Sequence, residues 1–100
     1  MDIKINTVHF DADKKLVEFV NNKVTKLNSY CDGIIGAEVF LTFDKSAKKH
    51  TENKAVKIKI DVSKADIFAD KQAKTFEEAI DSATDALKKQ LKKHKEKIRS

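Results

Sequence analysis

Two stretches near the middle of the chain alternate apolar and polar residues with a period of two, and on either side of them apolar residues recur every three or four positions. Val39, Leu41 and Phe43 interleave with Glu38, Phe40 and Thr42, and Val56, Ile58, Ile60 and Val62 interleave with Lys57, Lys59 and Asp61. A period of two sends alternate side chains to opposite faces, so residues 36–43 and 54–62 predict strands with one buried face and one solvated face carrying Lys57 and Lys59. Leu16, Val20, Val24 and Leu27 step by four, four and three, with Val17, Phe19 and Tyr30 beside them. That spacing predicts an amphipathic helix over 13–30, capped by Asp11 or Asp13 and ended by Cys31, Asp32 and Gly33.

The remaining elements fall around these. Ile3 and Ile5 alternate with Lys4 and Asn6 ahead of Val8 and Phe10, the pattern of a short first strand. A polar segment, 44–53, joins the two central strands as a long hairpin loop, and Ser63 to Asp66 turns the chain into a further strand around 67–73 whose alternation is poorer. Thr75, Phe76, Glu77 and Glu78 form a capping box, after which Phe76, Ile80, Ala83, Leu87, Leu91 and Ile98 mark one stripe of a long helix. The order is βαβββα. A sheet with one apolar face needs a cover, so the expected fold is α+β: a four-stranded mixed sheet with both helices on one face, as in double-stranded-RNA-binding domains. The first helix serves as the crossover between two parallel strands.

With 100 residues there is room for one modest core, and 1–100 is expected to form a single domain. The chain has no proline and only Gly33 and Gly36, which argues for order along most of its length. No apolar run approaches the roughly 20 residues of a membrane span. The alternating start of the chain lacks the continuous apolar stretch of a signal peptide, and Cys31 has no partner cysteine to bridge with; both point to the cytoplasm.

Charge is the informative part. Residues 88–100 hold seven Lys or Arg and one Glu, leaving 14 basic and 15 acidic residues in 1–87, so the whole excess of +5 sits on the last turns of the second helix. At 100° per residue Lys88, Lys92, Lys95 and Arg99 fall in one row and Lys89, Lys93 and Lys97 in another, flanking the apolar stripe. Lysines near a helix C-terminus complement its dipole, as Glu77, Glu78, Asp81 and Asp85 complement the start, but one or two suffice for that. Seven cations within twelve residues repel at i,i+3 and i,i+4 spacing by a few tenths of a kcal/mol per pair. A polyanionic partner accounts for that cost. Lys23 and Lys26 on the first helix, and Lys45, Lys48, Lys49 and Lys54 around the hairpin, can add to the same field.

Catalysis finds no support. The chain lacks a Gly-rich phosphate cradle, HExxH, CxxC or Gly-x-Ser-x-Gly, and His9, His50 and His94 are scattered. A non-enzyme is expected, with no cofactor, metal or small-molecule substrate. His94, at the edge of the stripe, reads as a half-buried histidine or an RNA contact. Three binding classes compete. A membrane surface is disfavoured because residues 87–98 carry no aromatic on an apolar side that the sheet already claims. An acidic protein is more often met by mixed arginine and aromatic residues than by a lysine stripe. RNA fits best, with Lys23, Lys26, Lys88, Lys89, Lys92, Lys93, His94, Lys95, Lys97 and Arg99 as the candidate contacts. A general structured-RNA-binding domain is one form of this reading, although double-stranded-RNA-binding domains carry their lysines at the start of the last helix and that start is acidic here.

Over nearly its whole length the chain resembles the ribosome hibernation factor family, of the short hibernation-promoting-factor type akin to ribosome-associated inhibitor A. The residues that carry the resemblance are Leu16-Val17-Glu18-Phe19-Val20, Lys23-Val24-Thr25-Lys26-Leu27, Tyr30, Thr75-Phe76-Glu77-Glu78-Ala79-Ile80-Asp81 and Leu87-Lys88-Lys89-Gln90-Leu91-Lys92-Lys93-His94-Lys95. Phe76 stands where family members commonly carry Tyr, and Lys89 or Lys92 where some carry Arg. The resemblance implies a protein that binds the small ribosomal subunit and its ribosomal RNA, in the channel for messenger and transfer RNA, and blocks the decoding sites of idle ribosomes under stress. It implies a monomer off the ribosome. Long members add a C-terminal domain that pairs two ribosomes, so pairing by this chain is expected to need another factor.

Overall fold

The computed structural model describes residues 1–8, 10–31, 33–44, 53–63 and 65–99, with side chains as far as Glu96. Strand β1 (Asp2–Val8) lies parallel to β2 (Ile34–Phe43), Ile3 opposite Ala37 and Ile5 opposite Val39. The helix α1 (Lys14–Thr25) makes the crossover between them. Strands β3 (Lys54–Val62) and β4 (Ala65–Ala73) then add antiparallel, giving the sheet order β1-β2-β3-β4, and α2 (Phe76–Arg99) closes the described chain. The α+β architecture with a mixed four-stranded sheet is the one the periodicity predicts.

Local chemistry sets the boundaries. The Asp13 carboxylate accepts the Leu16 N–H at 2.8 Å and caps α1. The α-helix ends at Thr25, short of the 30 expected, and the chain tightens into a 3₁₀ turn over Lys26–Ser29. Val24, Leu27 and Tyr30 step by three, the spacing at which a 3₁₀ turn keeps side chains in line, and the Ser29 hydroxyl donates to the Lys26 carbonyl at 2.8 Å. Gly33, at φ +86°, supplies the left-handed residue that turns the chain into β2. That strand begins at Ile34, ahead of the visible alternation, because a register shift between Ile34 and Gly36 breaks the period of two. The Thr75 hydroxyl accepts the Glu78 N–H at 3.1 Å, forming the expected cap of α2.

One sheet face and both helices enclose the core. Val39, Leu41, Val56, Ile58 and Ile60 from the sheet meet Val20, Val24 and Leu27 from the first helical segment and Ile80, Leu87 and Leu91 from α2, all essentially without solvent contact. Burial of such side chains is worth roughly 1.5–3 kcal/mol each before chain entropy is subtracted. The helix α2 lies over β3 and β4, and α1 sits beside it. Phe10, Phe43 and Phe76 close one end of the core as an aromatic triad with ring centroids 5.0–5.5 Å apart. Ile67 and Ala69 are the inward residues of β4, whereas Phe68, its largest apolar side chain, is 58% exposed on the other face. The hairpin lysines Lys45, Lys48 and Lys49 lie outside the described residues; at the base of that loop the Asp44 N–H donates to the Asn53 carbonyl at 2.7 Å. No helix among the described residues is long and apolar enough to cross a membrane.

Candidate nucleic-acid interface

Because α1 and α2 cover the same sheet face side by side, the polar edges of their apolar stripes face each other across a seam. Lys23 reaches over it: its ammonium stands 2.6 Å from the Asp81 carboxylate of α2. Both side chains are substantially exposed, so the pair contributes less than about 1 kcal/mol and a competing anion can displace it.

One turn farther along, the 3₁₀ segment presents Tyr30 to α2. The Lys88 ammonium lies 5.0 Å from the centre of the Tyr30 ring, and the Lys92 ammonium 5.5 Å from it. These lysines are an i,i+4 pair, whose like charges repel; the electron-rich ring gives each a return of about 0.5–1 kcal/mol and fixes where the pair points. A groove lies on each side of Tyr30. One, of about 310 Å³, is lined by Lys23, Lys26, Leu27, Tyr30, Asp81, Thr84, Asp85 and Lys88. The other, of about 290 Å³, is lined by Ser29, Tyr30, Lys92, Lys95 and Glu96. Thr84 is buried and spends its hydroxyl on the Ile80 carbonyl at 2.9 Å, so it is scaffold.

The structure therefore gathers five of the sequence-predicted residues, Lys23, Lys26, Lys88, Lys92 and Lys95, around one aromatic ring. Lys89 and Lys93 form a separate, outer exposed row, and Lys89 is 3.5 Å from Asp85. His94 stands apart from both, on the flank facing the β3–β4 turn, with its Nε2 3.2 Å from the Ser63 carbonyl oxygen. Gln90 on that flank donates to the Phe68 carbonyl at 3.0 Å, so these two residues tie α2 to the sheet. Lys97 and Arg99 continue the helical backbone, and their side chains lie outside the described set. Lys54 is remote from the seam, donating to Asn53 at 2.9 Å above the Phe43 ring.

Sequence reasoning missed the part that Tyr30 plays, and it treated Asp81 and Asp85 as dipole complements only. Both assignments depend on how α1 and α2 align, and no local pattern encodes that alignment. Chemically, five ammonium groups flanking two shallow grooves can exchange counterions for the phosphates of a nucleic-acid backbone. Among the described residues no group of three or more His, Cys, Asp or Glu is placed to hold a metal ion.

Comparison with known proteins bears on the family and the fold. A family model described as Sigma 54 modulation protein / S30EA ribosomal protein matches residues 3–99. The ribosome hibernation promoting factor of Escherichia coli K12 is 31% identical over 99 residues, spanning 99% of this chain and 98% of that one. The protein of the same name from Pseudomonas putida is 28% identical over 100 residues, covering 100% of this chain and 92% of its own. Among solved structures, a ribosomal subunit interface protein from Coxiella burnetii superposes with a TM-score of 0.82 at 19% identity, over 95% of this chain and 98% of that one.

Proposed function

The chain belongs to the Sigma 54 modulation protein / S30EA ribosomal protein family, and from that premise we propose that it is a ribosome hibernation factor that seats its helical seam on small-subunit ribosomal RNA. Bound in the channel for messenger and transfer RNA, it blocks the decoding sites of idle ribosomes by occupying them. The observation that carries this reading is the pair Lys88 and Lys92, held over Tyr30 between two lysine-lined grooves. Such a pair is oriented before the ligand arrives, so little side-chain entropy remains to be lost on contact with phosphate. A helix pair braced on a sheet forms a rigid wedge, and a rigid wedge suits occlusion of a channel better than a flexible polycation does. The role is one of binding, carried out in the cytoplasm by a single domain that is a monomer off the ribosome.

Co-sedimentation with purified small ribosomal subunits at low salt tests the proposal directly. Saturable binding, displaced by messenger and initiator transfer RNA, is expected. Protein that remains in the supernatant, or that binds without competing with either RNA, overturns it.

A further inference from the structure

The sheet face turned away from the helices takes no part in the foregoing. Pairing fixes its side chains in rows across the strands: Asp2, Gly36, Asp61 and Asp66 in the first, Lys4, Glu38, Lys59 and Phe68 in the second, Asn6, Phe40, Lys57 and Asp70 in the third. These positions hold five carboxylates and three ammonium groups, a net of −2 on a chain whose total is +5. The second row explains itself, since its charges alternate in sign and Asn6 steadies Glu38 with a hydrogen bond of 3.2 Å.

The first row does not. Asp61 and Asp66 face each other directly across β3 and β4, an arrangement of like charges that weakens a sheet. Beside them Gly36 leaves the floor bare; β1 passes so close that an added Cβ would stand 3.1 Å from the Asp2 carbonyl oxygen. The result is a depression of about 440 Å³ lined by four carboxylates, Asp2, Glu38, Asp61 and Asp66, against two ammonium groups, Lys4 and Lys59, with Phe68 as an exposed wall. The Lys57 ammonium already stands 5.9 Å from the centre of the Phe68 ring, which shows that the ring takes a cation on its face.

These features select one kind of ligand. The net negative balance of this face disfavours an anionic partner, whether nucleic acid or lipid headgroup. Among the described residues no three carboxylates are grouped to hold a metal ion. What complements carboxylates beside an exposed aromatic ring is a planar guanidinium, which can donate to the former and stack on the latter in place of Lys57. We infer that this end of the open sheet face docks an extended, arginine-bearing protein segment, with Asp61 and Asp66 receiving the guanidinium and Phe68 stacking on it. The inference is independent of the RNA reading, since it uses the opposite face of the molecule.

The experiment titrates the isotope-labelled full chain with a blocked peptide of alternating arginine and glycine, and in parallel with its lysine and glutamate counterparts, following backbone amide resonances. Shifts centred on Gly36, Asp61, Asp66 and Phe68 are expected, with the arginine peptide binding several-fold more tightly than the lysine peptide. The double substitution Asp61→Asn and Asp66→Asn is expected to weaken binding about tenfold or more while the melting temperature holds or rises, because a repulsive pair is removed. Phe68→Leu is expected to abolish the preference for arginine over lysine. Shifts centred instead on Glu77, Glu78, Asp81 and Asp85, or equal affinities for the two basic peptides, overturn the proposal. So does a concentration-dependent dimer in sedimentation that the double substitution dissolves, since the occupant is then a second copy of this chain. Both variants keep every lysine of the helical seam, so co-sedimentation with small subunits tests that reading separately.

Discussion

The Tyr30 ring serves two lysines of α2 at once, and this makes it the most sharply testable residue of the seam. Replacing it with leucine keeps an apolar side chain against the core but removes the electron-rich face. Two cation–ring contacts of about 0.5–1 kcal/mol each then vanish, and with the pre-organisation they supply the affinity for small subunits is expected to fall, by at most about 5- to 30-fold. Tyr30→Phe retains the face and should bind within about twofold of the parent, which separates the ring's role from that of the hydroxyl. Thermal melts supply the control, because both variants should lie within a few degrees of the parent. A Tyr30→Leu protein that binds like the parent would show that Lys88 and Lys92 need no platform. The Lys23–Asp81 pair makes a different prediction. Asp81→Asn frees Lys23 for phosphate and removes a nearby carboxylate, so subunit binding should tighten, by a few-fold, at a stability cost below about 1 kcal/mol.

At the scale of the element, α2 combines two tasks whose demands differ: its stripe builds the core and its flanks carry the charge. Thr75→Ala removes the side-chain acceptor for the Glu78 N–H and is expected to cost about 1 kcal/mol, seen as a drop of about 4–8 °C in melting temperature. Subunit affinity at 25 °C should be unchanged, since the cap lies at the end of α2 remote from the basic rows. The basic rows call for the converse experiment. Lys88, Lys89, Lys92 and Lys93 lie outside the buried stripe, and changing all four to Gln should alter stability by no more than about 0.5 kcal/mol per site. Binding should nevertheless be largely lost. The matched control, Lys14, Lys15, Lys71 and Lys74 changed to Gln, removes equal charge from exposed positions away from the seam and should retain most of it. Equal losses in the two variants would mean that net charge alone drives association. This element was the most legible in the sequence, because its stripe, its cap and its lysine rows are all local and periodic. The 3₁₀ turn was less so: a stripe that shortens its step from four to three still reads as helix. The start of β2 was hidden by one irregular residue, which breaks the alternation on which the reading depends. In β4 the poor pattern has a physical cause, since Phe68 faces solvent while the small Ala69 faces the core.

The whole molecule is electrically two-sided: the helical seam and the outer lysine row are basic, whereas the open sheet face carries a net of −2. Summed charge read along the sequence shows the first and conceals the second, because the acidic face is assembled from alternate residues of four separate strands. A two-sided molecule in a field of phosphates is oriented as well as attracted, with its acidic face turned outward. Salt then acts on a defined number of contacts. If the five lysines around Tyr30 each neutralise one phosphate, log affinity against log salt should have a slope of about −3.5 to −4.5. Between 50 and 200 mM monovalent salt that amounts to a fall of about 10²–10³-fold, measurable by co-sedimentation or filter binding with small subunits. The Lys88→Gln, Lys92→Gln double variant should flatten the slope by about 1.4–1.8, because two released counterions are lost from the count. The Asp61→Asn, Asp66→Asn variant should leave the slope where it is, since those carboxylates lie on the sheet face opposite the helical seam. A parent slope near zero would place the binding free energy in apolar or protein-mediated contacts and remove the seam as its source. A steep slope that neither lysine substitution changes would assign the counterion release to cations elsewhere on the chain.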